Sequence, residues 1–487
     1  MYQRSARRKR PKAPGTMANM RVVGLLFCAG LACCAALDDV TQQLSRDILR
    51  ELIEIDTTDS AGTTTRAAEA MAKRLKDVGI PAADIQVLGP AERKANLVAR
   101  YRGSGAQRPV LVIGHLDVVE ARRSDWTTDP FQFVERDGYF YGRGTQDMKA
   151  SDAILVTTLI RFQHEGYRLN RDIILALTAD EEGGKSNGVD WLLKGHLDLV
   201  DAAFVLNADS GGVTTVRGKP VNVDLEASEK QYADFELTAL NPGGHSSLPT
   251  PDNAIYHLAN ALSRLERAPF PIELNAVTRT YFERRAPLED ARIKADMNAI
   301  LRTPPDTAAV AQLSQDPRYN SMLRTTCVAT RLNAGHANNA LPQTAQAIVN
   351  CRILPGHSPE ETRQTLIRVF ADSKISVRYL NARGEADQAP QSRGFPTVLP
   401  TPEVLRPLEE VAAAMWPGAP VIPEMETGAS DSIYTMAAGM PSYGINGIAI
   451  DQDDIRAHGK DERIRESAYF DGVDFYYRFL KALTATK

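Results

Sequence analysis

Five short motifs in this chain carry side chains that can hold cations or move protons. They are HLDVV with His115 and Asp117, YGRGTQDMK with Asp147, DEEGG with Glu181 and Glu182, NADSGG with Asp209, and HGKDE with His458. A neutral imidazole can ligate zinc, and a carboxylate two residues on, on the same face of a strand, can fix its tautomer and orientation. Asp147 follows Gly142 and Gly144, which permit a tight loop from which one acid could bridge two cations. Glu181 and Glu182 end an apolar run, where neighbouring carboxylates repel, resist desolvation and need cations or protons. The glycines after them favour a sharp turn, letting one acid bind metal while the other acts as a base. Each motif alone has a plainer reading. An HxD pair also arises around a satisfied core histidine, two glutamates also arise on a solvated loop, and a lone histidine such as His458 is more often structural than a ligand.

The elements that must position these groups alternate between strand and helix. PVLVIGHLDVV (109–119), RDIILALTAD (171–180) and DAAFVLNAD (201–209) are apolar, β-branched runs bounded by turn residues, the pattern of buried parallel strands. Helices are expected over 40–56, 63–79 and 151–166. This rhythm predicts an α/β fold with a mostly parallel sheet covered by helices, whose ligands sit beyond the carboxyl ends of the strands. All three strands end in acids or histidine, so their polar ends would converge on one crevice. After Lys219 the texture changes. Strand-like VNVDLEASEKQYADFELTAL, the turn NPGGHSSLP (241–249), a helix over 253–265, the irregular stretch 267–325, the strands TTCVATRL and AQAIVNCRIL, a helix over 358–371 and ISVRYL suggest an α+β insertion. The expected division is 38–225 for the first part of a catalytic domain, 226–383 for the insertion and 384–487 for the second catalytic part.

In this order, the motifs resemble the zinc metallopeptidase family that includes glutamate carboxypeptidase, aminoacylase, acetylornithine deacetylase and succinyl-diaminopimelate desuccinylase. The resemblance runs from about residue 45 to the end of the chain. It implies a di-zinc exopeptidase-like catalytic domain with an inserted lid and dimerisation domain. It also implies two zinc ions per chain, with cobalt or manganese as possible substitutes. His115, Asp147 and Asp209 would surround one ion, and Asp147, Glu182 and His458 the other. Asp147 would be the bridge, with a cis peptide bond just after it. Asp117 would orient His115, and Glu181 would be the general base. In the lid, His245 of NPGGHSS would donate a hydrogen bond to the tetrahedral oxyanion, often across a dimer interface. Asn339 in NNALP, Arg352 in NCRIL and Ser430 in the TGASD loop match substrate-contact positions, and an arginine can hold a carboxylate through two parallel hydrogen bonds.

The chemistry is self-consistent. Two dications against three carboxylates leave a formal charge of +1, a field that lowers the pKa of water toward the value of about 7 typical of catalytic zinc. Glu181 would take the water's proton and return it to the leaving amine. The implied activity is hydrolysis of small peptides, as by a carboxypeptidase or dipeptidase. The alternative is an N-acyl-amino-acid amidohydrolase of the aminoacylase or deacetylase type. An inactive binding paralogue would have lost a ligand or the base, yet all six positions are filled. The expected partners are a small peptide or N-acyl amino acid substrate and a second copy of the chain through the lid. Ala150 stands where glycine is common and Ser432 where alanine is usual, and neither is a ligand position.

Composition bounds these readings. With 487 residues, 43% hydrophobic and 24% charged, the chain fits two or three globular units and excludes collagen-like, coiled-coil and wholly disordered architectures. Residues 1–37 hold seven Lys and Arg and no acid, leaving 50 basic against 61 acidic residues in the body, a net charge of −11. A body that acidic is a poor nucleic-acid binder. The apolar run 22–37 is short for a membrane span of about 20 residues and suits the core of a signal peptide over about 17–36. An exported protein, periplasmic or secreted, with no stable span after processing is therefore expected. An uncleaved anchor is the alternative, and Cys33 and Cys34 make lipidation a lesser one. Cys327 and Cys351 remain in the body, either paired or as free core thiols.

Overall fold

The computed structural model describes residues 37–485, except 382 and 396. The expected export signal lies outside them. Among the described residues, no helix is long and apolar enough to cross a membrane.

The catalytic layer is a ten-stranded mixed sheet. At its centre Val110–His115 lies between Ile173–Thr178 and Phe204–Asn207, parallel to both, and Ser442–Gly444 continues the parallel run beyond Phe204–Asn207. Asn96–Tyr101 and Ile85–Leu88 extend one side with antiparallel pairing. On the other side lie Lys219–Glu229, Gly212–Val216 and Ala449–Asp451, with Val421–Glu426 parallel to Lys219–Glu229. The central strands are buried on both faces, which is why they read as unbroken apolar runs. One face packs on Asp39–Ile53, Thr64–Asp77, Lys149–Glu165 and Glu466–Leu483, and the other on Gly188–Gly195. Lys149–Glu165 is buried along most of its length, matching the apolar sequence AILVTTLI at its middle.

The lid is a five-stranded antiparallel sheet in the order Thr326–Ala334, Thr344–Ile353, Gln231–Leu240, Ile375–Leu380, Ala386–Asp387. Ala254–Arg267 and Pro359–Phe370 cover one face, and the alternating burial along Thr344–Ile353 follows from that one-sided packing. Pro359–Phe370 starts at a capping box formed by Ser358 and Glu361.

Three expectations need correction. The chain leaves the catalytic sheet at Lys230, because Lys219–Glu229 runs through as a strand; the expected boundary was 226. The lid sheet extends to Asp387, past the expected 383. The stretch 267–325 is largely helical, with Ala276–Arg285, Ala291–Ile300, Thr307–Leu313 and Pro317–Leu323 each opened by an Asn or Asp that accepts backbone N–H bonds. These helices share a core with Ile422 of the catalytic sheet, and Arg284 donates to the Val421 carbonyl, so the segment packs on the catalytic layer.

Cys327 and Cys351 form a disulfide between directly opposed residues, tying the lid's edge strand to its neighbour. Replacing both by serine should lower the lid's melting temperature in calorimetry. Closing the loop between them, with a sequence separation of 24, stabilises by about 3 kcal/mol on the chain-entropy account. Ion uptake should not change.

Candidate metal centre

Three neighbouring parallel strands bring the first ligands together. Val110–His115 ends at His115, which is in register with Thr178, while Ile113 is opposite Asn207. The turns after Thr178 and Asn207 carry Glu181, Glu182 and Asp209, so one crevice at the carboxyl ends of the strands receives all of them. Asp180 turns the chain there with φ 61°, a left-handed conformation that Asp tolerates, and its carboxylate pairs with Lys94.

Asp117 lies beyond the strand, so the expected strand-face pairing with His115 is not formed. His115 Nδ1 instead faces the Asp117 backbone carbonyl at 2.9 Å, while the nearer carboxylate oxygen is 3.8 Å away. The Asp117 carboxylate accepts from Glu181 N at 3.2 Å and Glu182 N at 2.9 Å. Asp117 thus orients His115 through its main chain and holds the DEE turn through its side chain.

His115 Nε2 is 3.1 Å from Asp147 Oδ1, 3.5 Å from Asp209 Oδ1 and 4.0 Å from Glu181 Oε2. On the other side of Asp147, His458 Nε2 is 2.9 Å from Oδ2 and 2.9 Å from the Glu182 carboxylate. The Asp147–Met148 peptide bond is cis, as the resemblance implies. Asp147 therefore stands between two imidazoles, one oxygen toward each, the geometry of a bridging ligand.

The electrostatics show what charge the cluster demands. Burial opposes charge on His115, but Asp209 and Asp147 outweigh it and hold its pKa well above the usual histidine range. The hydrogen bond to Asp147 is the main cause that raises His458 to about 9. Burial works against Asp147, yet bonds to both histidines keep its pKa below the usual carboxylate range. Burial, then repulsion from Asp209 and Asp431, pushes Glu181 up to about 10, and burial with Asp147 raises Glu182 to about 7. The cluster thus favours positive charge at both imidazoles, a demand that cations would also meet. The donor atoms of His115, Asp147 and Glu182 lie within 4.8 Å of one another. This nitrogen and oxygen set fits paired divalent ions, with Asp209 completing one position and His458 the other.

The lid residues are placed apart from this cluster. His245 pairs with Ala340 in the short ladder formed by Gly244–His245 and Ala340–Leu341, and Asn339 accepts there from Ser246 N at 3.1 Å. The Ser247 amide donates to His245 Nδ1 at 3.1 Å. Arg352 stacks its guanidinium 4.8 Å from the Tyr232 ring centroid. Among the described residues, no hydrogen bond or ion pair joins His245, Asn339 or Arg352 to the metal ligands. Ser430 is buried, and its amide and hydroxyl donate to Glu229 at 2.8 and 3.0 Å. Its Oγ accepts from Asn207 Nδ2 at 3.2 Å, so it anchors its loop to the strand that leads to Asp209.

The sequence model for "Peptidase family M20/M25/M40" matches residues 111–482. The chain belongs to that family. It is a metal-dependent amidohydrolase of the α/β metallopeptidase fold. It is 28% identical over 379 residues to the Xenopus tropicalis N-fatty-acyl-amino acid synthase/hydrolase PM20D1, covering 77% of this chain and 72% of that protein. It is 28% identical over 404 residues to the probable carboxypeptidase S-like 2 of Dictyostelium discoideum, covering 80% and 75%. Its fold matches the M20 family metallo-carboxypeptidase Sso-CP2 from Sulfolobus solfataricus with a TM-score of 0.66 at 17% identity, covering 92% and 99%.

Sequence reasoning missed Asn207, whose Oδ1 accepts from Asp209 N at 3.1 Å and fixes that ligand's turn. Its place in NAD, two residues before the acid, was the available signal. It also missed Asp431, whose Oδ1 accepts from Asn187 Nδ2 at 2.6 Å beside the DEE turn.

Divalent ions must displace the protons on Glu182, His115 and His458. Loading metal-free protein at pH 7 should therefore release protons, and apparent affinity should rise with pH across the range from about 6 to about 9. Calorimetry in buffers of different ionisation enthalpy measures this, and pH-independent affinity across that range would contradict the ligand set.

Proposed function

We propose that the protein is an exported, di-zinc hydrolase of amides whose nitrogen belongs to an amino acid, with N-acyl amino acids as its first substrate class. The observation that carries the hydrolase reading is the division of labour between adjacent glutamates. Glu182 engages His458, while Glu181 stands 4.0 Å from His115 Nε2, placed to act as a base once bound cations offset the burial and repulsion that raise its pKa. The N-acyl reading, the alternative when the sequence alone is considered, gains support from the likeness to N-fatty-acyl-amino acid synthase/hydrolases. Small peptides are the second reading, supported by the carboxypeptidase S-like relative.

The ions, when bound, would polarise the scissile carbonyl and acidify the attacking water. Glu181, held by the Asp117 carboxylate through its own amide, takes the water's proton and delivers it to the departing nitrogen, which otherwise leaves poorly. Arg352 and Asn339 would receive the substrate carboxylate, and His245 the developing oxyanion, once the lid closes. The Cys327–Cys351 disulfide supports an oxidising destination. The exposed edge strand Thr326–Ala334, with Val328 and Leu332 open to solvent, supports pairing with a second copy.

Glu181→Gln should retain two ions per chain by elemental analysis while kcat falls about 10²–10⁴-fold, the range for loss of a general base. A panel of N-acetyl and long-chain N-acyl amino acids and dipeptides, assayed on zinc-loaded enzyme, ranks the two substrate classes. Cleavage of neither would refute the hydrolase reading.

A further inference from the structure

His458 belongs to a loop far in sequence from the other ligands, and its own backbone is left-handed, with φ 62°. A histidine holds that conformation only where its surroundings determine it. Those surroundings are two side chains. Gln146, the residue before the bridging aspartate, donates from Nε2 to the carbonyls of Asp454 at 3.0 Å and Arg463 at 2.8 Å. Its Oε1 accepts from Arg456 N at 2.7 Å and Ala457 N at 3.0 Å. The amide group is saturated, and every bond goes to the backbone of the loop that carries His458.

The reverse contact comes from Glu462, which is fully buried. Its Oε1 accepts from the amides of Gln146 at 2.6 Å and Asp147 at 3.1 Å. Its Oε2 accepts from Gly144 N at 3.1 Å and from Arg143 Nη1 at 2.6 Å. Arg143 in turn reaches the His458 carbonyl at 3.4 Å. Each loop thus inserts one side chain into the backbone of the other. The loop of Asp147 and the loop of His458 cannot shift independently without breaking buried or half-buried hydrogen bonds, each costly to leave unmade.

We propose that Gln146 and Glu462 are positioning residues that form a reciprocal clasp, fixing His458 against Asp147 and so setting the affinity of the ion position built by Asp147, Glu182 and His458. The inference rests on the two-ion reading above. The position built by His115 and Asp209 is anchored also by strand ends and by Asn207, so losing the clasp acts chiefly on the ion position that needs His458 and less on the other, which shares Asp147.

The test is stepwise zinc binding by the full chain, followed by competition with a chelator at fixed pH, together with the melting temperature of the metal-free protein. His458→Ala identifies which binding step belongs to the second position. Gln146→Leu keeps the volume and removes every side-chain bond to the loop. It should weaken that step about 10–100-fold, the usual effect of losing a group that orients a ligand, change the other step less, and lower the metal-free melting temperature only by the loss of these four side-chain bonds. Gln146→Glu keeps the acceptor for Arg456 and Ala457 but sets its second oxygen against the Asp454 and Arg463 carbonyls, so it should weaken the same step as well. Glu462→Gln should act in the same direction, but it strips the buried Arg143 of its counter-charge, so the Gln146 variants decide the matter. Wild-type affinity at both steps in Gln146→Leu overturns the clasp, as does equal weakening of both steps with a lowered melting temperature. Wild-type protein that takes up a single ion overturns the two-ion reading and the clasp with it.

Discussion

The structure is organised around a charge problem. Asp117, Asp147, Glu181, Glu182 and Asp209 crowd around two imidazoles at the end of a buried sheet, and burial pushes against ionisation of Asp117, Glu181 and Glu182. Carboxylates placed this way are stable as anions only when positive charge is close by. In the metal-free state the histidines supply it as protons, and Asp147 stays ionised between them. Paired dications supply it better, because each can accept several carboxylate oxygens at once. The family's chemistry therefore appears in the free protein as an electrostatic demand built into the fold.

Meeting that demand needs rigid placement, and the fold obtains it by using the backbone of one motif to hold the side chain of another. The amides of Glu181 and Glu182 grip Asp117, the Asp209 amide is gripped by Asn207, and the amide of Asp147 is gripped by Glu462. Each ligand-bearing turn is thus tied to its neighbour by a charged or amide side chain whose hydrogen bonds are shielded from water. Such bonds are stronger in a poorly solvated site and fix geometry to tenths of an ångström.

This pattern also explains what the sequence could and could not reveal. The ligands were legible because each sits in a short motif at the end of an apolar run, and local composition encodes both the strand and its polar end. The strands 109–119, 171–180 and 201–209 were expected a few residues too long, because a polar strand end and the turn after it look alike in one dimension. Gln146 and Glu462 stood inside quoted motifs yet carried no visible role, since their partners lie more than 300 residues away along the chain. The helices between 276 and 323 escaped notice for a different reason. They are short, separated by Asp and Pro, and half exposed, so no apolar stripe persists long enough to show a helical period.

The junction between the layers follows the same logic with cations in place of anions. The chain crosses near Lys230, Phe270 and Arg324, and these crossings are tied to one another. Lys230 Nζ donates to the Arg324 carbonyl at 2.7 Å, and Arg324 Nη1 donates to the Phe270 carbonyl at 3.2 Å. Both side chains are buried and each donates to a main-chain carbonyl, and burial, aided by Arg352, lowers Lys230 to about 7. A junction bound through main-chain acceptors keeps its geometry whatever the charge of the nearby acids, so titration at the metal centre need not loosen it. The metal ligands all come from the catalytic layer, whereas His245 and Asn339 share a ladder within the lid. The cation-holding cluster is therefore built within one layer, and under the proposed function the lid residues would meet it only across the bundled crossings.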